Sequence, residues 1–320
     1  MDLGAALERR LHRASSSGSI DGRFAPSPTG PLHLGNLRTA LVAWLFARSA
    51  GSAFALRIDD LDPQRSRAEH ERGQLADLEA IGIDWDGVPV RQSERTELYL
   101  DALTRLQAQG RVYECYCSRA EIRTAAEAPH GTLPEGAYPG TCRDLTAAER
   151  AERARQTGRP PALRLDARGE HVAVEDRLHG SIDSAVDDIV LRRGDGTPAY
   201  NLAVVVDDAD QAIDEVVRAD DLLDTTPRQV LLARLLELPV PAYAHVPLVL
   251  GSDGARLAKR HGAVTLADAA AHGRTVDDVV AWMAESLGLA EEGERPTAGQ
   301  LVGRFDPGRM TREPVTLPPS

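Results

Sequence analysis

The sequence predicts an α/β protein built around a doubly wound parallel sheet. Short apolar runs of strand length alternate along the chain with longer segments whose apolar residues recur at helical spacing. The chain has 320 residues, 42% hydrophobic and 27% charged, which suits a globular protein of two or three domains. No stretch approaches the ~18 consecutive apolar residues of a transmembrane helix, so we expect no membrane association.

The charge and the cysteine content narrow the possible functions. Lys+Arg 37 against Asp+Glu 49 leaves a net charge of −12, which argues against a general nucleic-acid coat but allows a local basic groove. Three cysteines are too few for a disulfide framework, and the first residues contain no signal-peptide core, so we expect a cytoplasmic protein. Lys259 is the only lysine of an otherwise arginine-rich chain.

The N-terminal part predicts the first half of the core. Residues 1–19 are interpreted as a short helix and a flexible extension, and residues 20–112 as the first α/β unit. A strand over Gly22–Ala25 leads into the loop APSPTGP, because proline and glycine favour turns. The elements that follow are a helix over His33–Ala50 ending at Gly51, the strand AFALRID, and a helix over Glu69–Ile81 ending at Gly82.

The pattern changes at about Tyr113, where cysteine, proline and glycine cluster and an arginine-rich helix follows over Thr146–Gln156. We interpret residues 113–198 as an inserted α+β module. The α/β pattern returns over residues 199–262, and residues 263–320 form a short C-terminal part. The elements predicted there are the strands NLAVVVDD, EVVR and HVPLVL and the helices Pro227–Leu238 and Val276–Leu287.

The loop between the first strand and the first helix has the layout of a phosphate site. A helix N-terminus presents free N–H groups and the positive end of its dipole to an anion. His33 and Asn36 are three residues apart and share one helix face, and Gly35 leaves room for a ring such as adenine. The segment lacks the GKS/T of a P-loop, so on spacing alone a surface loop is the alternative.

A second candidate segment is the basic stretch RLAKRH, residues 256–261, after a glycine-rich turn. Cations on a loop can neutralise charge that builds on a phosphate in a transition state, and a solvated basic loop is the alternative. Together, the two segments resemble the signature motifs of class I aminoacyl-tRNA synthetases. Residues 33–36, HLGN, are similar to the HIGH motif, and residues 256–260, RLAKR, are similar to KMSKS.

Four further stretches narrow this resemblance to the glutamyl branch: GRFAPSPTGPLHLGN, LRIDDLDPQR, GIDWDG and AYNLAVVVDD…VVRADDL. The resemblance covers residues 20–262 and implies a Rossmann-type sheet with an inserted module. It implies that His33, Gly35 and Asn36 bind the phosphates of ATP, which brings Mg²⁺, and that Lys259 stabilises transfer at the α-phosphate. The segment departs from KMSKS at Arg256, Ala258 and Arg260 but keeps the lysine.

The substrate of this branch needs cations for its carboxylates and an acid for its ammonium group. A guanidinium can bind a carboxylate through two hydrogen bonds, and ligands of such folds bind at the carboxyl ends of the strands. The family shows a glutamate where this chain has Asp59, one methylene shorter. The residues that the resemblance assigns to L-glutamate are Arg23, Ala25, Ser27, Asp59, Tyr200 and Arg218.

The length of the chain distinguishes two branches of the family. About sixty residues follow Lys259, which is too few for a helical anticodon-binding region and suits a truncated stem-contact remnant over residues 263–320. The chain therefore resembles the glutamyl-Q branch, which activates glutamate without tRNA and attaches it to queuosine in the anticodon loop of tRNA(Asp). The alternatives are a short glutamyl-tRNA synthetase that charges a tRNA 3′ end, a non-catalytic zinc-containing RNA-binding relative, and a ligase with another amino acid. We expect a monomer.

The three cysteines form a candidate zinc site. Cys115 and Cys117 are a two-ligand pair, and Cys142 follows a glycine- and proline-rich stretch. Three thiolates and a fourth ligand suit tetrahedral structural Zn²⁺, and three buried thiols are the alternative. Tyr138, His130 and Asp144 are candidates for the fourth ligand. Chemistry alone favours the imidazole, whereas the resemblance implies Tyr138, since the glutamyl-Q branch shows C-x-C…Y-x₃-C.

The pairs of adjacent aspartates also suggest a two-metal site, to which we give little weight. Neighbouring side chains on a strand point to opposite faces of the sheet, so the two carboxylates of a pair would not converge. The three pairs considered are Asp59–Asp60, Asp207–Asp208 and Asp220–Asp221.

Overall fold

The structure is a computed structural model, and it describes residues 21–126, 137–251, 253–255, 257 and 264–317. The expectations for the N-terminal extension, for His130 and for Lys259 with its neighbours fall outside the described residues. The strands are β1 (Gly22–Phe24), β2 (Phe54–Ile58), β3 (Val90–Arg91), β4 (Val112–Cys115), β5 (Ala162–Leu165), β6 (His171–Asp176), β7 (Gly180–Ala185), β8 (Val190–Arg192), β9 (Glu215–Ala219), β10 (Ala242–Val246), β11 (Val249–Leu250) and β12 (Val315–Thr316). The α-helices are α1 (Leu34–Ser49), α2 (Ala68–Ala80), α3 (Thr96–Ala108), α4 (Arg119–Ala126), α5 (Ala147–Thr157), α6 (Tyr200–Asp210), α7 (Thr226–Leu235), α8 (Leu266–Ala271), α9 (Val276–Ser286) and α10 (Ala298–Val302).

The main sheet has seven strands in the order β3-β2-β1-β9-β10-β6-β7. All neighbouring pairs are parallel except the hairpin β6–β7. The strand order reverses between β1 and β9, so this is the switch point at whose carboxyl edge open α/β sheets bind ligands. The predicted class of sheet is confirmed.

Two apolar clusters cover the two faces of this sheet. Val216 belongs to one cluster and Val217 to the other, and Tyr243 and Ala244 are divided in the same way. Because successive side chains of a strand point to opposite faces, the clusters lie on opposite sides of the sheet. The doubly wound arrangement is therefore confirmed.

Helix α1 forms where the sequence predicts it. His33 caps its N-terminus, and apolar residues bury nearly all of its length against β1 and β9. Gly51 follows the helix with φ +69, a conformation that glycine adopts at little cost. Helix α2 and the positive φ of Gly82 also match the prediction.

Residues 199–212 differ from the prediction. The run NLAVVVDD, predicted as a buried strand, lies in helix α6, whose residues from Leu202 to Ala209 are all buried. A short β-branched run that is apolar all round has no period that separates a strand from a buried helix. Here α6 is enclosed by α3 and α7, and this packing outweighs the local preference of valine for strands.

The region predicted as an insertion contributes to two sheets. Strands β4, β5 and β8 form a separate three-stranded antiparallel sheet. The hairpin β6–β7 instead extends the main sheet, where β6 pairs with β10 through Tyr243 and Asp176. The domain boundaries stay a prediction.

The C-terminal part packs on the first half of the core. The predicted strand HVPLVL is split into β10 and β11 at Pro247, since proline fixes φ and lacks an N–H donor. Strand β11 pairs with β12 near the C-terminus. Arg38 of α1 is buried and donates to Ser286 and to the carbonyl of Pro247, which ties α1 to α9. Within the described ranges, no helix is both long and apolar enough to cross a membrane.

Candidate active site

A cavity of about 460 Å³ lies at the switch point between β1 and β9. Its wall is formed by β1, the loop that follows, the first turn of α1, the end of β9 and the start of α6. The predicted site residues in this wall are Arg23, Ala25, Ser27, His33, Asn36, Asp59, Tyr200 and Arg218. Of the predicted set, Gly35 does not line the cavity, and Lys259 is outside the described residues.

The loop between β1 and α1 is fixed from behind by a residue that sequence reasoning missed. Gln74 of α2 is 1% exposed, and its Nε2 donates to the carbonyls of Ser27 at 3.0 Å and Gly30 at 2.7 Å. Its Oε1 is buried and has no hydrogen-bond partner among the described residues. Gln74 also lines the cavity. Through this residue α2 both supports the loop and contributes a polar group to the cavity wall.

His33 and Asn36 cap the helix reciprocally. The Asn36 N–H donates to His33 Nδ1 at 3.1 Å, and the His33 N–H donates to Asn36 Oδ1 at 3.2 Å. Burial lowers the pKa of His33, and Asp221 offsets this only in part. A neutral imidazole that accepts at Nδ1 carries its proton on Nε2, so His33 can offer an N–H donor to a ligand.

Gly35 makes room for the imidazole ring. A Cβ at Gly35 would lie 3.1 Å from His33 Nδ1 and 3.3 Å from the Cβ of Val249. Any side chain at this position would therefore displace the ring or the strand. The geometry gives glycine a role in seating His33, while its role in ATP binding stays a prediction.

Arg23 is held by a buried carboxylate. It is 5% exposed, and its Nε and Nη2 donate to the two oxygens of Asp208 at 3.2 Å and 3.3 Å. Arg57, 0% exposed, donates from Nη1 to the same carboxylate at 2.6 Å and from Nε to Asp59 at 2.8 Å. The Nη2 of Arg57 is buried and has no hydrogen-bond partner among the described residues.

Asp207, next to Asp208 on α6, faces a different set of donors. Its carboxylate accepts from Gln92 at 2.8 Å, from Arg95 Nε at 2.7 Å and from the hydroxyl of Tyr99 at 2.9 Å. Asp208 is thus paired with two arginines, and Asp207 is paired with Arg95 and accepts from an amide and a hydroxyl. This pairing gives a structural reason for their presence that needs no metal, although the strand on which our argument placed them is a helix.

Asp59 is the most strongly perturbed acid of the cavity. Burial raises its pKa to about 6, against the opposing effect of Arg57. Burial acts on Asp208 in the same direction, but Arg23 and Arg57 outweigh it, so the pKa of Asp208 is lowered. The pKa values of the two neighbouring carboxyl groups are therefore shifted in opposite directions. Asp59 can change its protonation near neutral pH.

Arg218 approaches the cavity from β9 and is fixed by three neighbours. Its Nε lies 3.0 Å from His245 Nε2, its Nη1 donates to Gln229 at 2.8 Å, and its Nη2 donates to the Thr226 hydroxyl at 2.8 Å. Sequence reasoning missed these partners, together with Arg57 and Asp208. The sequence signal for Arg57 and His245 is a polar residue inside an apolar run, as in LRI and YAHV. Such a residue is expected to be buried, and a buried charge is nearly always paired.

Tyr200 lies between two cavities. It is the first residue of α6 and is 41% exposed. The prediction that it precedes a strand is wrong. A second cavity of about 990 Å³ shares Ser27, Thr29, Asp59 and Tyr200 with the first. This cleft runs from the site to Cys115 and Cys117, and its cations are Arg65, Arg119, Arg164 and Arg193.

The cysteines meet at the far end of this cleft. The Sγ atoms of Cys115, Cys117 and Cys142 all lie within 4.8 Å of one another. The Tyr138 hydroxyl oxygen lies 3.4 Å from Cys115 Sγ and 3.6 Å from Cys117 Sγ, and the Sγ atoms of Cys117 and Cys142 are 3.5 Å apart. Hydrogen bonds from Cys117 and Cys142 lower the pKa of the Cys115 thiol.

Comparison with known proteins identifies the family. The family described as tRNA synthetases class I (E and Q), catalytic domain, matches residues 19–289. The chain belongs to this family of ligases. It is 61% identical over 296 residues to a glutamyl-Q tRNA(Asp) synthetase of Nocardia farcinica, covering 92% of each chain. It is 52% identical to a glutamyl-Q tRNA(Asp) synthetase of Symbiobacterium thermophilum, covering 93% of this chain and 95% of that one.

A solved structure supports the fold independently. A glutamate tRNA ligase of Elizabethkingia meningosepticum, crystallised in complex with its amino acid, superposes with a TM-score of 0.79 at 27% identity. The match covers 93% of this chain and 67% of that ligase. The predicted class I synthetase fold is therefore confirmed.

Proposed function

We propose that this chain activates L-glutamate with ATP without needing tRNA, and then transfers the glutamyl group to queuosine in the anticodon loop of tRNA(Asp). In the first step an α-carboxylate oxygen of glutamate attacks the α-phosphorus of ATP. The bond to the bridging oxygen breaks, which gives glutamyl-adenylate and pyrophosphate. In the second step a hydroxyl of the queuosine ring attacks the glutamyl carbonyl, and AMP leaves.

One observation carries the proposal. Two nearly buried guanidiniums, Arg23 and Arg218, line the same cavity as the N-terminus of α1 with His33 and Asn36. The guanidiniums suit the carboxylate of an acidic amino acid, and the helix N-terminus suits a phosphate. A substrate with a carboxylate and a triphosphate bound beside it would satisfy both ends of this cavity.

The chain acts by positioning and electrostatics, with no protein nucleophile. In this mechanism His33 donates from Nε2 to a phosphate oxygen, and Asn36 borders the same space. Asp59 balances the ammonium group of glutamate, while Tyr200, Ala25 and Ser27 close the wall. Lys259 neutralises charge on the α-phosphate in the transition state, and Mg²⁺ arrives bound to ATP.

The queuosine step is supported by the similarity to glutamyl-Q enzymes over almost the whole of their length. Transfer of labelled glutamate to tRNA(Asp) with queuosine, and to the same tRNA with guanosine at that position, tests it. Nuclease fragmentation then locates the label. We expect label only in the anticodon-loop fragment of the queuosine tRNA. Label in the 3′-terminal fragment would instead establish a glutamyl-tRNA synthetase.

The cysteine cluster supports a second proposal, a structural Zn²⁺ bound by Cys115, Cys117, Cys142 and Tyr138. A tetrahedral zinc with ordinary bond lengths places its ligand atoms about 3.5–3.8 Å from each other. The Tyr138 oxygen and the sulfurs, at 3.4–3.6 Å for the contacts given above, match these edges. The donor set therefore fits zinc, which would hold β4 and the following residues against the loop that carries Cys142.

Elemental analysis of protein purified without chelator tests the zinc proposal. We expect one zinc per chain, faster loss to a chromogenic chelator in Tyr138→Phe, and wild-type retention in His130→Ala. Faster loss of zinc from His130→Ala than from Tyr138→Phe would instead assign the fourth ligand position to His130. A metal-free, folded wild-type protein would overturn the proposal.

A further inference from the structure

His245 is a buried polar residue that lies behind the cavity wall and contacts Arg218. It lies in β10, is 0% exposed and does not line the cavity. Both of its ring nitrogens nevertheless have short contacts. Its Nε2 lies 3.0 Å from Arg218 Nε, and its Nδ1 lies 2.6 Å from Asp176 Oδ2.

The chemistry of arginine determines which nitrogen carries the proton. The Nε of a guanidinium always bears a hydrogen, so His245 Nε2 must accept, and its only proton is on Nδ1. That N–H donates to Asp176. The pKa of His245 is lowered, first by its burial, which agrees with a neutral ring facing a cation. A ring protonated on Nε2 would turn an N–H toward the Arg218 N–H.

Asp176 is itself rigidly placed. Its side chain is 0% exposed, and its Oδ1 accepts from the backbone N–H groups of Leu178 at 3.0 Å and His179 at 2.9 Å. The carboxylate thus belongs to the turn between β6 and β7. Its remaining oxygen is aimed at His245, so the chain of contacts runs from this turn through β10 to Arg218 in β9.

We propose that Asp176 and His245 are a positioning pair that sets the orientation of Arg218 for the substrate carboxylate. The inference rests on the proposed role of Arg218 in binding glutamate. Asp176 selects the tautomer of His245, and the Nε2 lone pair of His245 then accepts the Arg218 Nε–H at 3.0 Å. Gln229 and Thr226 hold the other two nitrogens, and the Thr226 hydroxyl lies 3.2 Å from His245 Nε2, so a change at His245 should release the Nε–H and tilt the guanidinium about these two remaining contacts.

Asp176→Asn tests the proposal by reversing the tautomer. Its oxygen can keep the turn, while its amide N–H₂ faces Nδ1 and moves the ring proton to Nε2, against Arg218. We expect the KM for glutamate to rise about tenfold, with kcat and the KM for ATP changed by less than about threefold. His245→Leu should do the same. His245→Gln, which can offer an amide oxygen to Arg218, should recover most of the loss.

Two further measurements separate positioning from structure. ¹⁵N-histidine NMR should show His245 protonated on Nδ1 in the wild-type protein and on Nε2 in Asp176→Asn. The matched control is His171→Leu, which removes the exposed pair that His171 forms with Asp183 and should leave every kinetic constant unchanged. Histidine protonated on Nε2 in the wild type, or equal rises in both substrate KM values, would overturn the proposal. Absence of glutamate-dependent exchange in the wild type would overturn the proposed function instead, and the NMR result would still decide the pair.

Discussion

Asp208 is the residue on which the buried charges of the site converge. Its two oxygens accept from Arg23 and Arg57, whose side chains are 5% and 0% exposed. Removing one partner of a buried ion pair is far more costly than removing an exposed one, because it leaves a charge without water or a counter-charge. The orientation of Arg23 in the cavity wall and the stability of the core therefore depend on one carboxylate.

Asp208→Asn should lower the free energy of unfolding by about 3–5 kcal/mol and raise the KM for glutamate, because two buried guanidiniums lose their shared anion. Denaturant unfolding and exchange kinetics measure the two effects. Glu152→Gln is the control, since it removes an exposed pair with Arg155 and should cost less than about 1 kcal/mol. Equal stability of the two variants would contradict this account.

Asp59 should make glutamate binding pH-dependent. Burial raises its pKa to about 6, so lowering the pH through this value protonates the group that we propose to balance the substrate ammonium. The KM for glutamate should therefore rise as the pH falls through about 6. Asp59→Asn should show a high KM at every pH. A wild-type KM that stays flat below pH 6, with the protein folded, would contradict the assignment.

The same titration has the opposite effect on stability. Because the folded protein binds the Asp59 proton more tightly than the unfolded chain does, protonation favours folding. This contribution is fully present below pH 3.8 and is lost as the pH rises through about 6. Ionised Asp59 is thus a destabilising group that the proposed function requires at neutral pH.

At the scale of single residues, the resemblance to the family's motifs found the lining of the site but not its supports. Arg23, His33, Asn36, Asp59, Tyr200 and Arg218 all line the predicted cavity. Asp208 and His245 escaped because their partners lie 151 or 185 residues away for Asp208 and 27 or 69 for His245. Such pairings arise from the fold and leave no periodic signal.

At the scale of elements, the first turn of α1 combines a capping box with a binding surface. His33 and Asn36 satisfy each other's backbone N–H groups, so the side chains that line the cavity also begin the helix. Gly35 lies under the imidazole ring. A change at this glycine should therefore affect phosphate binding more than folding.

Gly35→Ala should raise the KM for ATP, because its Cβ would lie 3.1 Å from His33 Nδ1. Gly73→Ala in α2 is the matched control, since a Cβ there meets nothing within 4 Å. Alanine is favoured over glycine within a helix by about 1 kcal/mol, so the control should be neutral or stabilising. Steady-state exchange at varied ATP measures the effect, and indistinguishable kinetics for the two variants would refute it.

Helix α6 shows what local pattern cannot decide. Its apolar run predicts a strand by valine content, and only its enclosure by α3 and α7 makes it a helix. By contrast, the period of α1, α2 and α9 and the glycines that follow α1 and α2 predicted their positions closely. Helix α1 is also buried along most of its length, but it is long and is followed by a glycine, whereas the run in α6 is short and rich in valine.

At the scale of the whole molecule, the two cavities share part of their lining, so the sites proposed for activation and for transfer would lie side by side. The smaller one holds the residues proposed for glutamate and ATP, and the larger cleft leads past Tyr200 toward the cysteines. The net charge is −12, so the proposed binding of RNA needs local cations, and the arginines that line the cleft are the candidates for them.

Arg193→Glu should weaken transfer to tRNA and leave tRNA-independent activation within about twofold of wild type, since Arg193 lines only the larger cleft. Arg155→Glu, which makes the same charge change on the outer face of α5, is the control. Transfer rates at several salt concentrations measure the effect. Equal transfer by both variants would exclude the cleft as the RNA path.

The parallel class of the sheet and the place of the cavity agree with the α/β pattern, because parallel sheets of this kind bind ligands at the switch point, whereas the order of the seven strands was not predicted. The joining of β6–β7 to the main sheet did not follow, since that hairpin alternates like any exposed hairpin and its pairing with β10 rests on a contact between distant segments.

The measurement that tests the central claim most directly is glutamate-dependent ATP–pyrophosphate exchange with purified protein and no RNA. We predict exchange with glutamate under these conditions, since the proposal places the amino acid and ATP in one cavity without a third component. Exchange that appears only when tRNA is added, or that requires another amino acid, would contradict the proposal.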